Sequence, residues 1–498
     1  MQNKAPVPIP TTNMMGKRIP IILAGVVAGA ISLYVLASLK YYRIGFPLDD
    51  AWIHQTYARS LAQAGRWEFF PGQPSAGGST SPLWSFLLAI GHLLGVNPYV
   101  WTFLLGAICL WGTASLAEWT VRRRIKLYRP KFPWVGILFA CEWHLVWAAV
   151  SGMETSLHIF LMTLFFACLL NPKQNKVILG LIVGLSVWVR PDGMTLLIPL
   201  FLAIILSKLP LKDRGTDILK AGLGFTLLVG FYLLFNLVLV GTPMPNTYYA
   251  KQTEYAALQQ LPLYLRYYQQ ILQPLTGVGI MLLPAAIFYG YSAIKKHDWA
   301  IISSYLWLIL FPGLYAFSLP VTYQHGRYGM PAIPVFMLLS SLAGADFLSQ
   351  AARPKIRPFQ IVWVLSASLL CVAFFIIGAW TYARDVAIIE SEMVNTAQWV
   401  AENVPGDELI AAHDIGALGY FGSHQLIDLA GLISPEIIPF MRDQGQLAAF
   451  LNNKHVRYLV AFPNWYPDLI SGKTQVFTSA SVFSRAYGSE NMAVYRWK

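Results

Sequence analysis

The sequence predicts an α-helical polytopic membrane protein carrying a small extracytoplasmic α/β domain at its C-terminal end. Three observations predict it. Hydrophobic residues make up 56% of the 498 residues and charged residues only 12%, about half the charged share of a soluble globular chain. Mean hydropathy is +0.51, and apolar runs of about twenty residues, the length that crosses a bilayer core, recur up to residue 381. Beyond that point the pattern changes to short mixed segments punctuated by Gly and Pro. A soluble enzyme, a disordered chain and a disulfide scaffold are excluded. Cys109, Cys141, Cys168 and Cys371 fall inside apolar runs at no metal or disulfide spacing and read as packing residues.

The run near 20–39 follows Lys4, Lys17 and Arg18 and reads as an uncleaved first span with its N-terminus inside. A long outer loop, 40–98, follows. Its stretch from Pro82 to Val96 is short for a span and reads as an interfacial helix. The run 99–121 then ends at RRRIKLYRPK, six basic residues in ten, which belongs inside. Further spans follow near 132–150, 155–171, 176–191, 193–207, 218–240, 272–292, 299–319, 329–349 and 359–381, for about eleven in all. With this threading 20 Lys and Arg lie inside, Arg353 among them, and eight outside. The division predicts a membrane domain over 1–381 and an extracytoplasmic domain over 382–498. In the latter, helix 388–402, strand 408–412, strand 425–429, helix 435–441 and strand 458–462 build an α/β fold. The net charge of +12 is a topology signal in such a chain, and no nucleic-acid partner is expected. The segment 245–270 is an aromatic outer loop suited to the interface.

The outer face gathers polar residues. Asp49 and Asp50 sit just after the first span at the start of a helical pattern, and His54 lies one turn beyond Asp50. They read equally as an N-terminal cap or as a site, because adjacent carboxylates near a bilayer need a partner, a metal or water. Glu154 in SGMETS, Arg190 and Asp192 in VRPDG, Asn246, Tyr249 and Lys251 in PNTYYAK, and His325 and Arg327 in YQHGRYGMP fall on the same side. Singly, each has a bland reading: a snorkelling arginine, a Pro-Asp-Gly turn, an interfacial anchor. Together they supply cations that clamp a phosphate and carboxylates that serve as base or as ligands for Mg, Mn or Ca. Asp49, Asp50 and Glu154 are the metal candidates. Glu142 and His144, inside the third span, read as support for the site or as a self-satisfied pair. His158 reads as a packing histidine. His413, Asp414 and Asp428 in the tail either line a groove or shape turns.

The acidic pair after the first span, Tyr57-Ala58-Arg59, the F-x-P-G of Phe69–Gly72 and Thr80-Ser81-Pro82-Leu83-Trp84 together resemble the first outer loop of the GT-C membrane glycosyltransferases. The pattern is most similar to that of the terminal arabinofuranosyltransferases of mycobacterial walls, and more remotely to the protein O-mannosyltransferases and the lipid A aminoarabinose transferase. GMET (152–155), RPDG (190–193), PNTYYAK (245–251), GRYGMP (326–331) and the tail segment 414–436 extend the likeness. The resemblance implies a hexosyl- or pentosyltransferase of a plasma or inner membrane. Such an enzyme takes a sugar from a polyprenyl-phosphate donor and passes it, with inversion, to a glycan, lipid or protein on the extracytoplasmic side. It also implies that the acid nine residues before the Arg of an Ala-Arg pair is general base, which points to Asp50. The family often places its second acid after the first; here Asp49 precedes it, so both remain candidates.

A secondary transporter would show inverted repeats and midplane charges; no repeat is visible, and the polar set lies mainly at one face. A lipid-linked sugar flippase shares the phosphate cations but has no need of the acidic pair. A receptor working through its tail leaves the membrane-side loops unexplained. The discriminating expectation is that Asp49, Asp50, Glu154, Arg190, Lys251 and Arg327 surround one cavity.

Overall fold

The computed structural model describes residues 12–72, 77–350 and 355–497. Lys4 and Arg353, expected on the inner side, and residues 73–76 of the first outer loop lie outside these. An apolar helix, α1 (Thr12–Tyr41), opens the bundle. The loop that follows holds α2 (Asp50–Ala64) and α3 (Pro82–Leu93). Gly65 ends α2 in the left-handed conformation (φ 66°) and returns its N–H to Leu61 O, the geometry a glycine adopts without strain. α3 spans 12 residues, too short to cross a bilayer. In α4 (Pro98–Arg124) the Asn97 side chain caps Tyr99 and Val100, and Arg122, Arg123 and Arg124 occupy the last turn, where cations suit the helix dipole.

The run expected at 132–150 folds as two helices, α5 (Trp134–Ala140) and α6 (Trp143–Val150). The break falls at Glu142, which leaves helical geometry (ψ 123°) and caps Leu145 N–H with its carboxylate. Then come α7 (Thr155–Leu169), α8 (Lys176–Val189), a 3-10 turn (Pro191–Leu196) leading into α9 (Leu197–Ile205), and α10 (Leu211–Val240). α8 and α10 pack backbone to backbone: a Cβ on Gly180 would stand 2.0 Å from Ala221 O, and one on Gly224 2.3 Å from Val177 O. Small residues at such contacts hold membrane helices together where no hydrophobic drive exists. α11 (Asn246–Glu254) and α12 (Leu263–Ile271) fill the aromatic loop, and the segment 263–275 meets α13 (Gly279–Lys296) at 98°. The bundle closes with α14 (Trp299–Ser318), a short turn α15 (Tyr323–Gly326), α16 (Ala332–Ser349) and α17 (Arg357–Ile389).

Among the described residues six helices are long and apolar enough to cross a membrane, or seven if the bent pair is one span. The chain is an integral membrane protein. The eleven apolar runs coincide with helices, but α7 and α8 have only 15 and 14 residues, about 22 Å at the α-helical rise. Length and composition therefore select fewer spans than the sequence pattern does.

α17 passes residue 381 without a break and continues through one π turn (Glu390–Val394) into α18 (Asn395–Asn403). The turn points the buried Glu392 carboxylate at the tail, where it accepts from Asn491 Nδ2 (2.7 Å), Met492 N–H (2.8 Å) and the Ser479 hydroxyl. The tail comprises β1 (Ile410–Ala412), α19 (Gly416–Phe421), β2 (Leu426–Asp428), α20 (Gln444–Asn453), β3 (Tyr458–Ala461), α21 (Pro467–Ile470), β4 (Thr474–Thr478), α22 (Val482–Ala486) and β5 (Ala493–Arg496). The sheet order is β2-β1-β3-β5-β4. β1 pairs parallel with β2 and β3, and β5 runs antiparallel to both its neighbours. All three expected strands form the parallel part. The expected helix at 435–441 is a 3-10 turn (Pro435–Phe440), and α20 has no counterpart in the sequence reading. Leu447 and Leu451 of α20 pack with Ile437 and Leu459 into a separate core.

Candidate functional site

Five segments far apart in sequence deliver polar side chains to one cavity of about 360 Å³. Asp50 and His54 come from the first turns of α2, and Glu154 from the residue before α7. Arg190 and Asp192 come from the turn after α8, Lys251 from α11, and Arg327 from just after α15. The rest of the lining is largely apolar, with Met153, Met194, Met244, Leu314 and Leu319 among it. Five of the six residues expected to converge do so; Asp49 is the exception.

The charges are arranged in pairs. Arg327 Nη2 lies 2.5 Å from Asp50 Oδ2, and Lys251 Nζ lies 3.6 Å from the same oxygen. Glu154 sits between His54 (3.3 Å) and Arg190 (3.3 Å). Arg190 also reaches Asp192 (3.3 Å) and donates to Tyr315 Oη (2.9 Å), while Tyr315 donates to Asp192. His54 Nδ1 is held by Ser79 Oγ (3.1 Å) and Ser85 Oγ (3.3 Å). At the centre stands Tyr328, whose hydroxyl accepts from Lys251 (3.0 Å) and Arg327 (3.1 Å). Its ring lies within 4.9, 5.0 and 5.6 Å of Arg190, Arg327 and Lys251. Burial opposes ionisation of Asp50, but Lys251 and Arg327 outweigh it and hold its carboxyl well below the usual carboxylate range. Arg327 is 3% exposed, yet its Nε and Nη1 have no hydrogen-bond partner among the described residues. Buried guanidinium N–H groups are seldom left so, and an unpaired guanidinium N–H is a donor suited to a phosphate oxygen.

A second cavity, of about 810 Å³, lies against the first. Asp50, Ile53, Lys251, Arg327 and Leu432 line both. The Asp50–Lys251–Arg327 cluster is thus the partition between an apolar-walled chamber and a polar one. The polar chamber is lined by the tail's His413, Asp414 and Trp465 and by Glu254 of α11. Of the tail's acids, Asp414 faces this groove, whereas Asp428 shapes a turn by accepting the N–H groups of Ala430, Leu432 and Ile433.

Asp49 is turned away from the apolar-walled cavity. Its two oxygens accept Gly416 N–H (2.7 Å) and Ala417 N–H (2.8 Å) at the start of α19. A Cβ on Gly416 would stand 2.1 Å from Asp49 O, so only glycine permits this approach. At the other end of α19, Arg59 donates to the carbonyls of Gly419 (3.0 Å) and Tyr420 (2.6 Å) and covers the Tyr420 ring. α19 is therefore gripped by Asp49, just before α2, at its N-terminus and by Arg59 of α2 at its C-terminus. Trp52 packs on Tyr420 and Phe421 between them.

Four further candidates stand outside the apolar-walled cavity. On α11, Thr247, Tyr248 and Lys251 face it, so helical geometry turns Asn246 and Tyr249 elsewhere. Tyr249 is exposed and Asn246 buried. His325 pairs with Asp385 (2.7 Å) against the rings of Trp143 and Trp147. Glu142 caps α6 and pairs with His144 (2.8 Å), which is the self-satisfied reading of that pair. His158, read as packing, lies 3.4 Å from Asp192 and so backs the Arg190 cluster. Tyr315 and Tyr328 carry no sequence signal beyond their motifs, since a tyrosine in an aromatic chain is unremarked until its neighbours are known.

The metal candidates do not converge. Asp49 is spent on α19, Asp50 on two cations, and Glu154 on His54 and Arg190. Among the described residues no three His, Cys, Asp or Glu form a group suited to a metal ion.

Residues 373–495 match the model of a domain of unknown function (DUF8728). No curated protein sequence matches the chain. Solved structures do resemble it. ArnT from Cupriavidus metallidurans bound to undecaprenyl phosphate aligns over 96% of this chain and 98% of its own, with TM-score 0.59 and 12% identity. The oligosaccharyltransferase of Archaeoglobus fulgidus in its apo form aligns over 91% of this chain and 70% of its own, with TM-score 0.61 and 12% identity. The mycobacterial arabinofuranosyltransferase AftD aligns over 95% of this chain but 41% of its own, with TM-score 0.52 and 17% identity. At these identities the likeness is one of fold, and the fold is the GT-C architecture that the first-loop resemblance implies.

Proposed function

We propose that the protein is an inverting membrane glycosyltransferase that moves a sugar from a polyprenyl-phosphate donor to an acceptor hydroxyl. In this reading eleven segments cross the membrane with the N-terminus inside, so the partition and the domain after residue 381 face the extracytoplasmic side of a plasma or inner membrane. The observation that carries the reading is the buried Arg327 guanidinium, which keeps one N–H on Asp50 and has two nitrogens unpartnered beside an apolar chamber. A lipid-linked phosphate fits both halves of that description.

The donor's phosphate sits against Arg327, Lys251 and Arg190, with its lipid against the methionines and leucines of the smaller chamber. The acceptor hydroxyl comes from the larger chamber to the same partition. As its oxygen attacks the anomeric carbon, its proton passes to Asp50. The bond from that carbon to the phosphate oxygen breaks, and the polyprenyl phosphate leaves with charge held by the three cations. One displacement inverts the anomeric centre. Phosphate binding shares Arg327 and Lys251 between the phosphate and Asp50 and adds negative charge beside it, which raises the basicity of its carboxylate when it is needed. The fold shared with ArnT, whose solved complex holds undecaprenyl phosphate, supports the donor class.

The test is a transfer assay on purified, reconstituted protein with a panel of polyprenyl-phosphate pentoses and hexoses. Release of polyprenyl phosphate with one of them is expected. Release with none, while the sugar lipids are moved across vesicles, would establish a flippase in its place.

A further inference from the structure

The larger chamber has chemistry of its own. Trp465 is 50% exposed, yet its ring is pinned edge-on by His413 (4.7 Å) and lies beside Phe462 (5.1 Å). His413 is itself held by the Tyr466 hydroxyl (2.7 Å) and by Glu254, 3.7 Å from its other nitrogen. Tyr323, 41% exposed and packed on Tyr255, stands in the same lining. Two acceptor atoms of the lining residues, Asp414 Oδ2 and Gln324 Oε1, have no hydrogen-bond partner among the described residues. A rigid, uncovered indole calls for an apolar face; unpartnered acceptors and carboxylates call for hydroxyl donors. A sugar ring presents both at once.

We propose that this chamber is a saccharide-binding subsite that seats the uncharged end of a glycan acceptor on Trp465, with its hydroxyls on Asp414, Glu254 and Gln324. The assignment of its use rests on the transferase reading above.

The experiment is saturation-transfer NMR on the full chain in nanodiscs. The probes are methyl α-D-mannopyranoside, methyl α-D-glucopyranoside and methyl α-D-arabinofuranoside, with a neutral Ala-Ser-Ala amide and glycerol phosphate alongside. At least one glycoside is expected to show saturated ring C–H protons. Trp465→Ala abolishes the signal and Trp465→Phe retains it. Asp414→Asn weakens binding about tenfold, as the loss of one charge-assisted hydrogen bond implies. In the transfer assay the same variants raise the acceptor KM and not the donor KM. A glycoside signal equal in wild type, Trp465→Ala and Asp414→Asn overturns the proposal, as does saturation confined to the tripeptide or the phosphate. Glycoside binding that follows Trp465 without any sugar transfer upholds the subsite and removes the transferase reading instead.

Discussion

Arg327 and Asp50, 277 positions apart in the chain, meet at 2.5 Å on the wall that separates two chambers. Each is arranged for something other than its partner. Asp50 keeps about a third of its side chain exposed, and Arg327 keeps two nitrogens unbonded. A pair that existed only for stability would saturate both groups.

Arg327→Ala is therefore expected to raise the donor KM and lower the rate together, by about a hundredfold in kcat/KM, the scale of one lost charge-stabilising donor. Arg327→Lys restores little, because a single ammonium cannot serve Asp50 and a phosphate with separate planar donors. Steady-state kinetics with the active donor checks both. An unchanged donor KM in either variant counts against the phosphate role.

The grip on α19 predicts a structural effect distinct from catalysis. Asp49→Ala leaves the N–H groups of Gly416 and Ala417 without acceptors, a loss of about 1–3 kcal/mol. Arg59→Ala frees the carbonyls of Gly419 and Tyr420 at a similar scale. Hydrogen exchange over residues 416–422 should quicken in both variants, while the strands of the sheet stay protected. Equal protection in wild type and variants would show that the grip contributes nothing.

Stability should fall as pH rises through neutrality. Burial, with Asp414 adding, pushes Asp49 up to about 8; burial pushes Glu390 up to about 7, and Asp414 and Asp428 up to about 6. Between their unfolded values near 4 and these values the folded state holds more protons than the unfolded state, so each rise in pH favours unfolding. The groups held low, Asp50 and Glu254, have the opposite sign, and their contribution is lost only on acidification below about pH 4. Thermal unfolding in detergent should show a Tm lower at pH 8 than at pH 5.5. A Tm that climbs over that interval would contradict the placement of these acids.

The proposed orientation is open to direct labelling. A cysteine at Gln63, exposed at the end of α2, should react with an impermeant maleimide in intact cells. One at Lys126, exposed in the basic loop after α4, should react only after the membrane is opened. The reverse pattern would put the partition on the cytosolic side.

Much of this was legible in the sequence, for identifiable reasons. Apolar runs and loop charge mark membrane helices because a bilayer imposes both. The parallel strands of the tail were readable from short apolar runs flanked by turn residues. What the sequence hid depends on direction. Asp49 and Asp50 are adjacent and chemically alike, yet the turn into α2 sends one to α19 and the other to the partition. His325 and Arg327 are two residues apart and part company at Gln324 and His325, whose φ values of 55° and 56° reverse the chain. Glu142 looked like a buried acid in a span and is the cap that divides it. Arg59 served as a motif marker, and only its distance to Gly419 and Tyr420 reveals what it holds.

The central claim is that Asp50 takes the acceptor's proton. Its most direct test is Asp50→Asn in reconstituted protein, assayed for sugar transfer beside wild type with thermal unfolding as the control. The account predicts a loss of at least about a thousandfold in kcat, in the range of a removed general base, with donor binding retained and the unfolding transition intact. Transfer within a few fold of wild type would contradict it.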